Sequence, residues 1–318
     1  MIRRIIAACA AAISLCSAAF AYSGTIAEQV EQFRAEHRLT ESNFAVSYYD
    51  PVSGESYAYN EETMLVAAST FKLPLNLYYY ELEQAGEIAP DAYIPNSGTT
   101  LANCHRMSLV DSNNEVSIAM LYNLGNFRTY KEKMRKYFTM TDDEIDGKYW
   151  SNNYYCTRMM MDALRYLYEN EAEFPEMIGY LKQACPDHYF KKYLDCEIAH
   201  KYGSFEGAEN DVGIIYGENP FLLAVYTQDR GENVSAECAV LFKDYTDSQA
   251  LARLDAEAAA SVPAPVTVAL DAPEPPPEPQ AEETAFEWWM LPITIAVFLL
   301  GSGLVLLILR IQKKNRSV

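Results

Sequence analysis

The chain has 318 residues and a formal net charge of −19 at pH 7. Half of its residues are hydrophobic, enough for a sizeable core. So acidic a chain is a poor partner for nucleic acid or anionic lipid.

The first segment reads as a secretory signal over residues 1–21. Arg3 and Arg4 precede an apolar run from Ile5 to about Ala19, and Ala19-Phe20-Ala21 supplies an A-x-A cleavage site. Residues 22–260 then form one domain in size. Ala27 to His37 is predicted helical, with Ile26, Val30 and Phe33 on one face. Phe44 to Tyr49 and Glu55 to Tyr59 are predicted strands, joined by the turn residues Asp50-Pro51-Val52-Ser53-Gly54. A helix is expected from Ser69 to near Gly86. The stretch from Pro90 to Ala184 reads as mainly helical. Val116, Met120, Leu121 and Leu124 are helically spaced there before Gly125, and Thr157 to Tyr168 forms a further helix.

Strands return at Asp195 to Lys201, Val212 to Tyr216 and Phe221 to Thr227. The breaks fall at Gly203 to Asn210 and at Gly217-Glu218-Asn219-Pro220. A closing helix is expected over Ser235 to Phe242 or slightly later. This order points to an α/β domain whose N- and C-terminal strands share one antiparallel sheet.

Residues 261–286 form a linker rich in proline and glutamate, including Pro273, Pro275, Pro276, Pro277 and Pro279. Such a stretch cannot bury a core. At ~3.1 Å per residue of polyproline II it could extend about 70 Å. Trp288 opens an uncharged run that reaches Leu309, and Arg310, Lys313, Lys314 and Arg316 follow. A single transmembrane helix over 287–310 is expected, with residues 311–318 cytoplasmic and the domain on the extracytoplasmic side of the cell membrane.

Beyond the signal the cysteines are Cys104, Cys156, Cys185, Cys196 and Cys238, with no Cys-x-x-Cys pair. The compartment permits disulfides, and the spacing leaves their pairing open. Cys104-His105 lacks partners at ligand spacing, so neither metal nor cofactor is assigned. Asn233-Val234-Ser235 matches a glycosylation acceptor.

Chemistry enters with Ser69-Thr70-Phe71-Lys72. A serine and a lysine three residues apart share one helix face. A buried lysine can lose its proton and serve as a base for the hydroxyl. Ser112-Asn113-Asn114 sits just before a predicted helix, where Ser and Asn also serve as caps. Lys201-Tyr202-Gly203-Ser204 ends a predicted strand. The glycine there admits close backbone approach, and the lysine offers charge to a substrate carboxylate.

Together these residues resemble the S-x-x-K, S-D-N and K-T-G set of the penicillin-recognising serine enzymes, the class A β-lactamases and D-alanyl-D-alanine peptidases. The resemblance spans about Phe44 to Thr227. It implies a β-lactamase-like antiparallel sheet flanked by helices, with a mainly helical subdomain. It also implies a covalent acyl-enzyme formed from a peptide-like or β-lactam substrate. Ser69 would be the nucleophile, Lys72 its base and Ser112 a proton relay. Asn114, Lys201, Gly203 and Ser204 would bind substrate. The Ser204 hydroxyl would replace the one missing at Tyr202, and its N–H would be the second oxyanion donor.

The chain departs from that pattern in three places. Asn113 stands for Asp, and Tyr202 stands for a hydroxyl residue. The Glu-x-x-Asn that activates the deacylating water is missing between Ser112 and Lys201, because Glu144 and Asp146 do not fit it. A penicilloyl enzyme should therefore turn over slowly. Three readings remain open: an acyl-serine hydrolase acting on an amide or ester such as cell-wall peptide, a class A-like β-lactamase, and a catalytically weak binding or scaffold protein.

Overall fold

The computed structural model describes residues 24–261. The expected signal peptide, the linker beyond Ser261 and the transmembrane run lie outside them. Among the described residues no helix is long and apolar enough to cross a membrane.

Alternation along the central strands sets the layers. Strand β7 (Phe221–Thr227) is buried at every position. Phe221, Leu223 and Val225 enter one hydrophobic cluster, while Leu222, Ala224 and Tyr226 enter another. A strand buried on both faces reads as a continuous apolar run, which is why Phe-Leu-Leu-Ala-Val-Tyr shows no polar alternation. Around it lie β1 (Phe44–Tyr49), β2 (Ser56–Tyr59), β5 (Glu197–Phe205) and β6 (Ala208–Tyr216), in the antiparallel order β2-β1-β7-β6-β5. The N-terminal and C-terminal strands meet as expected, with Phe44 opposite Thr227 and Tyr49 opposite Leu222.

Helices α1 (Ile26–His37) and α9 (Glu232–Ser261) cover the first face. Ile26, Val30 and Phe33 pack there with Val234, Cys238 and Phe242. The other face carries α7 (Thr157–Glu169) and the helical section. That section comprises α2 (Lys72–Gln84), α3 (Leu101–Leu109), α4 (Asn114–Asn123), α5 (Phe127–Met134), the single turn α6 (Lys148–Ser151) and α8 (Pro175–Gln183). Short strands β3 (Leu65–Val66) and β4 (Tyr154–Tyr155) pair just before the Ser69 turn.

Three boundaries differ from the sequence reading. Ser69 lies in a 3-10 turn over Ala68–Phe71, and α2 begins only at Lys72. Lys201-Tyr202-Gly203-Ser204 lies inside β5 rather than at its end. The break expected over Gly203 to Asn210 shrinks to Glu206 and Gly207, at φ 48° and 86°. Two successive left-handed residues make the tight hairpin turn whose twist matches the strands, so pairing continues on both sides. The closing helix runs to Ser261, well past Phe242 and onto the first residue assigned to the linker, through an Ala- and Glu-rich segment of high helix propensity.

The ring of Phe242 is fully buried and stacks on Tyr48 at 4.8 Å. Phe242→Ala is expected to cost about 3–5 kcal/mol. In urea unfolding this appears as a lower midpoint with an unchanged slope. A midpoint equal to wild type would mean that α9 is not part of the cooperative core.

Candidate active site

Three segments distant in sequence converge on one buried amine. Lys72 Nζ lies 2.9 Å from Ser69 Oγ, 2.5 Å from the Ser112 carbonyl, 3.1 Å from Ser112 Oγ and 2.7 Å from Asn114 Oδ1. Its side chain is fully buried and has no carboxylate partner among the described residues, and burial pushes its pKa down to about 7. The contacts fit the neutral amine. Two of them, the Ser112 carbonyl and Asn114 Oδ1, can only accept, and they take its two N–H donors. The lone pair is left for the Ser69 hydroxyl.

Lys201 closes the site from β5. Its Nζ donates to Ser112 Oγ at 3.0 Å and to the Tyr202 carbonyl at 2.9 Å. Burial, and then the nearby Lys72, hold its pKa well below the usual lysine value. Ser112 thus bridges two amines, from a left-handed backbone at φ 52°. That conformation is uncommon outside glycine and costs on the order of 1–3 kcal/mol.

Asn113 explains its own departure from the aspartate pattern. It is the N-cap of α4, and its Oδ1 accepts from Val116 N at 2.9 Å, a role Asn fills as well as Asp. The capping role belongs to this middle residue, which leaves Ser112 and Asn114 free to face Lys72.

Gly203 is required by proximity. A Cβ there would stand 2.7 Å from Ser69 N and 2.9 Å from the Ala67 carbonyl, both backbone atoms. Strand β5 therefore lies directly against the Ser69 turn. Ser204 differs from expectation in its side chain. Its hydroxyl donates 2.8 Å to Glu209, its cross-strand partner, so it is not free for a substrate.

Several supporting residues carried no motif. Asn153 fixes the turn twice: its side chain donates to the Ala68 carbonyl at 2.7 Å, and its carbonyl accepts from Ala67 N at 2.9 Å. Asn210 Nδ2 holds the Val66 carbonyl at 2.7 Å, and the Tyr226 hydroxyl meets Thr70 Oγ1 at 2.5 Å. Asn76 donates to the Lys72 carbonyl and to Ser108. The fully buried Lys131 anchors β4 by donating to the Tyr154 carbonyl beside the Tyr155 ring.

The hydrogen bonds of Ser69, Lys72 and Ser112 reach no carboxylate among the described residues. Glu144 is exposed and accepts from the Thr141 N–H and hydroxyl. Asp146 is exposed and accepts from Lys148 N. Both are engaged in their own loop. The five cysteines of the described residues are all free thiols.

The fold is similar to that of an ancestral class A β-lactamase, at 18% identity and a TM-score of 0.60, over 70% of this chain and 100% of that one. It is also similar to the class A β-lactamase of the last common ancestor of Gram-negative bacteria, at 20% identity and TM-score 0.57, over 67% and 97%. A mutant of PBP-A, solved as an acyl-enzyme complex with penicillin G, matches at 14% identity and TM-score 0.58, over 69% and 97%. No curated protein matches the chain. The model of the Beta-lactamase enzyme family matches residues 26–241, a span that contains every site residue named above. The chain therefore belongs to the Beta-lactamase enzyme family and has a β-lactamase-like serine hydrolase fold.

Proposed function

We propose that this chain is a membrane-anchored, extracytoplasmic acyl-serine hydrolase that acts on an amide or ester, with cell-wall peptide as a candidate, through a covalent acyl-enzyme. The observation that carries the reading is the Lys72 amine, buried without a counter-ion and aimed at Ser69. In the proposed reaction Ser69 Oγ attacks the substrate carbonyl carbon and its proton passes to Lys72. The oxyanion forms beside the Ser69 and Ser204 N–H groups. Collapse breaks the bond to the leaving amine or alcohol, which takes its proton through Ser112. Water then hydrolyses the acyl-serine. Asn114 Nδ2 remains for a substrate carbonyl, since its Oδ1 is committed to Lys72.

The second half-reaction is the weak one. With no carboxylate on Ser69, Lys72 or Ser112, little prepares a water for deacylation. This favours a peptidase-like enzyme over a β-lactamase. Labelling with a fluorophosphonate should place the adduct on Ser69 and abolish it in Ser69→Ala, while a fluorescent penicillin, whose carboxylate lies beside the lactam bond, should label the same residue more slowly and stay in place long after excess drug is removed. Equal labelling of Ser69→Ala would refute the nucleophile. Rapid adduct loss with catalytic drug hydrolysis would favour a β-lactamase, and no adduct with either probe would favour a binding role.

Lys72 sets the pH dependence. Only its neutral form has the lone pair, so acylation should rise as pH passes through about 7 and level off above it. Lys72→Met should lower the acylation rate on the order of 10²–10⁴-fold and remove that rise. A flat wild-type profile between pH 5 and 9 would rule Lys72 out as the base.

The anchor reading rests on the run over 287–310 and its basic flank. Protease added to wall-stripped intact cells should cut in the linker and release the domain. Full protection of the domain would refute the topology.

A further inference from the structure

We infer that the Lys201 end of this cleft selects a substrate with no carboxylate beside the scissile bond, and that Tyr202 and Glu209 impose the choice. The inference rests on the reading of Ser69 as nucleophile and names the chemistry of the group that lies next to it: an uncharged amide or ester.

The basic side chains nearest Ser112 and Lys201 are engaged within the protein. Lys201 is fully buried and gives its hydrogens to Ser112 Oγ and the Tyr202 carbonyl. Lys72 serves Ser69, Ser112 and Asn114. Arg106 is bound to Asp111 at 2.9 Å. Lys191, which acts on the same Cys185 thiol as Lys201 does, donates to the carbonyls of Lys182 and Ala184 at 2.7 and 2.6 Å.

The space is also filled. Tyr202 puts a ring where the family pattern puts a small hydroxyl residue. Tyr189 stacks on that ring at 5.1 Å, and Lys201 Nζ lies 4.0 Å from its centroid. The phenol of Tyr202 is half-buried and feels both the Ser112 hydroxyl and the Asp111 carboxylate. A ligand carboxylate could not reach Lys201 without displacing this ring.

The resident charge has the wrong sign for an anion. Glu209 accepts from the Ser204 hydroxyl at 2.8 Å and from the Tyr189 hydroxyl at 2.5 Å. The one hydroxyl that could have replaced the missing donor is thus bound to a carboxylate of the protein. A second carboxylate beside Glu209 and Asp111 would meet like charge. Both Glu209 oxygens already have donors, so its charge is satisfied and a neutral group fits better than a cation.

The test uses the full chain and one N-acyl dipeptide made in three forms, with a free carboxylate, a carboxamide or a cationic aminoethylamide at its end. Each form competes with a fluorophosphonate for Ser69. In wild type the carboxamide should slow labelling at a concentration about tenfold or more below that of the carboxylate form. Tyr202→Thr should shrink or reverse this ratio at least tenfold. Glu209→Gln should favour the acid several-fold at low salt and less at high salt. Tyr202→Phe keeps the ring and should keep the carboxamide preference, which controls for general damage. Equal or better protection by the carboxylate form in wild type overturns the inference. So do best protection by the cationic form, protection by none of the three, and a ratio unmoved in both Tyr202→Thr and Glu209→Gln. Failure of the fluorophosphonate to label Ser69 at all would instead refute the nucleophile. Calorimetric binding of the same three peptides would then still decide between acid and amide.

Discussion

A lysine side chain buried without an anion is the constraint on which the rest of this site depends. Burial makes the charged form expensive, and a nearby carboxylate would remove that cost and the reactivity with it. The fold meets the constraint by surrounding Lys72 with polar groups that carry no full charge: a carbonyl, an amide oxygen and two hydroxyls. These come from the turn before α2, from the loop before α4 and from the first residue of α4, so three segments must be held in register. The surrounding structure supplies that rigidity at some local cost. Ala68 and Ser112 both sit in left-handed backbone, at φ 49° and 52°. Such strain survives only where neighbours over-determine the conformation. Here Asn153 bonds the Ala68 carbonyl, Lys72 bonds the Ser112 carbonyl, and β5 presses against the Ser69 turn at Gly203.

Much of this was legible in the sequence because the reacting side chains lie in short fixed spacings. Ser69 with Lys72, Ser112 with Asn114, and Lys201 with Gly203 each form a local pattern, and the structure brings the three together. The order of strands and helices was legible for the same reason, since period-2 and period-3.6 runs are local. What the sequence hid were partners far along the chain. Nothing local to Tyr226 says that its hydroxyl reaches Thr70, and nothing near Asn153 says that it holds Ala68. The β5 boundary was misread because glycine in a strand usually marks a break. Gly203 stays in the strand because backbone atoms of another segment occupy the place of its side chain. The length of α9 was hidden because its apolar face ends long before its helix propensity does.

In the proposed reaction Ser112 links the two halves of the chemistry. Its hydroxyl oxygen stands 3.1 Å from Lys72 Nζ and 3.0 Å from Lys201 Nζ. A hydroxyl has one proton to give and lone pairs to accept with. While Lys201 donates to it, its own proton is free to turn toward Lys72 or toward a leaving group. The lysines are also coupled electrostatically, since each positive charge disfavours the other. In that reaction a proton arriving on Lys72 from Ser69 would raise the potential at Ser112 and drive the next transfer outward. On that proposal Lys201, buried and donating to Ser112 Oγ, would be the fixed donor that orients the relay. The recognition of substrate would then fall to the residues around it, the Tyr202 ring and the donors held by Glu209. On the proposed division the departure at Tyr202 would be compatible with an intact reaction centre: the substitution would alter what can lie beside the scissile bond and leave the path of the proton in place.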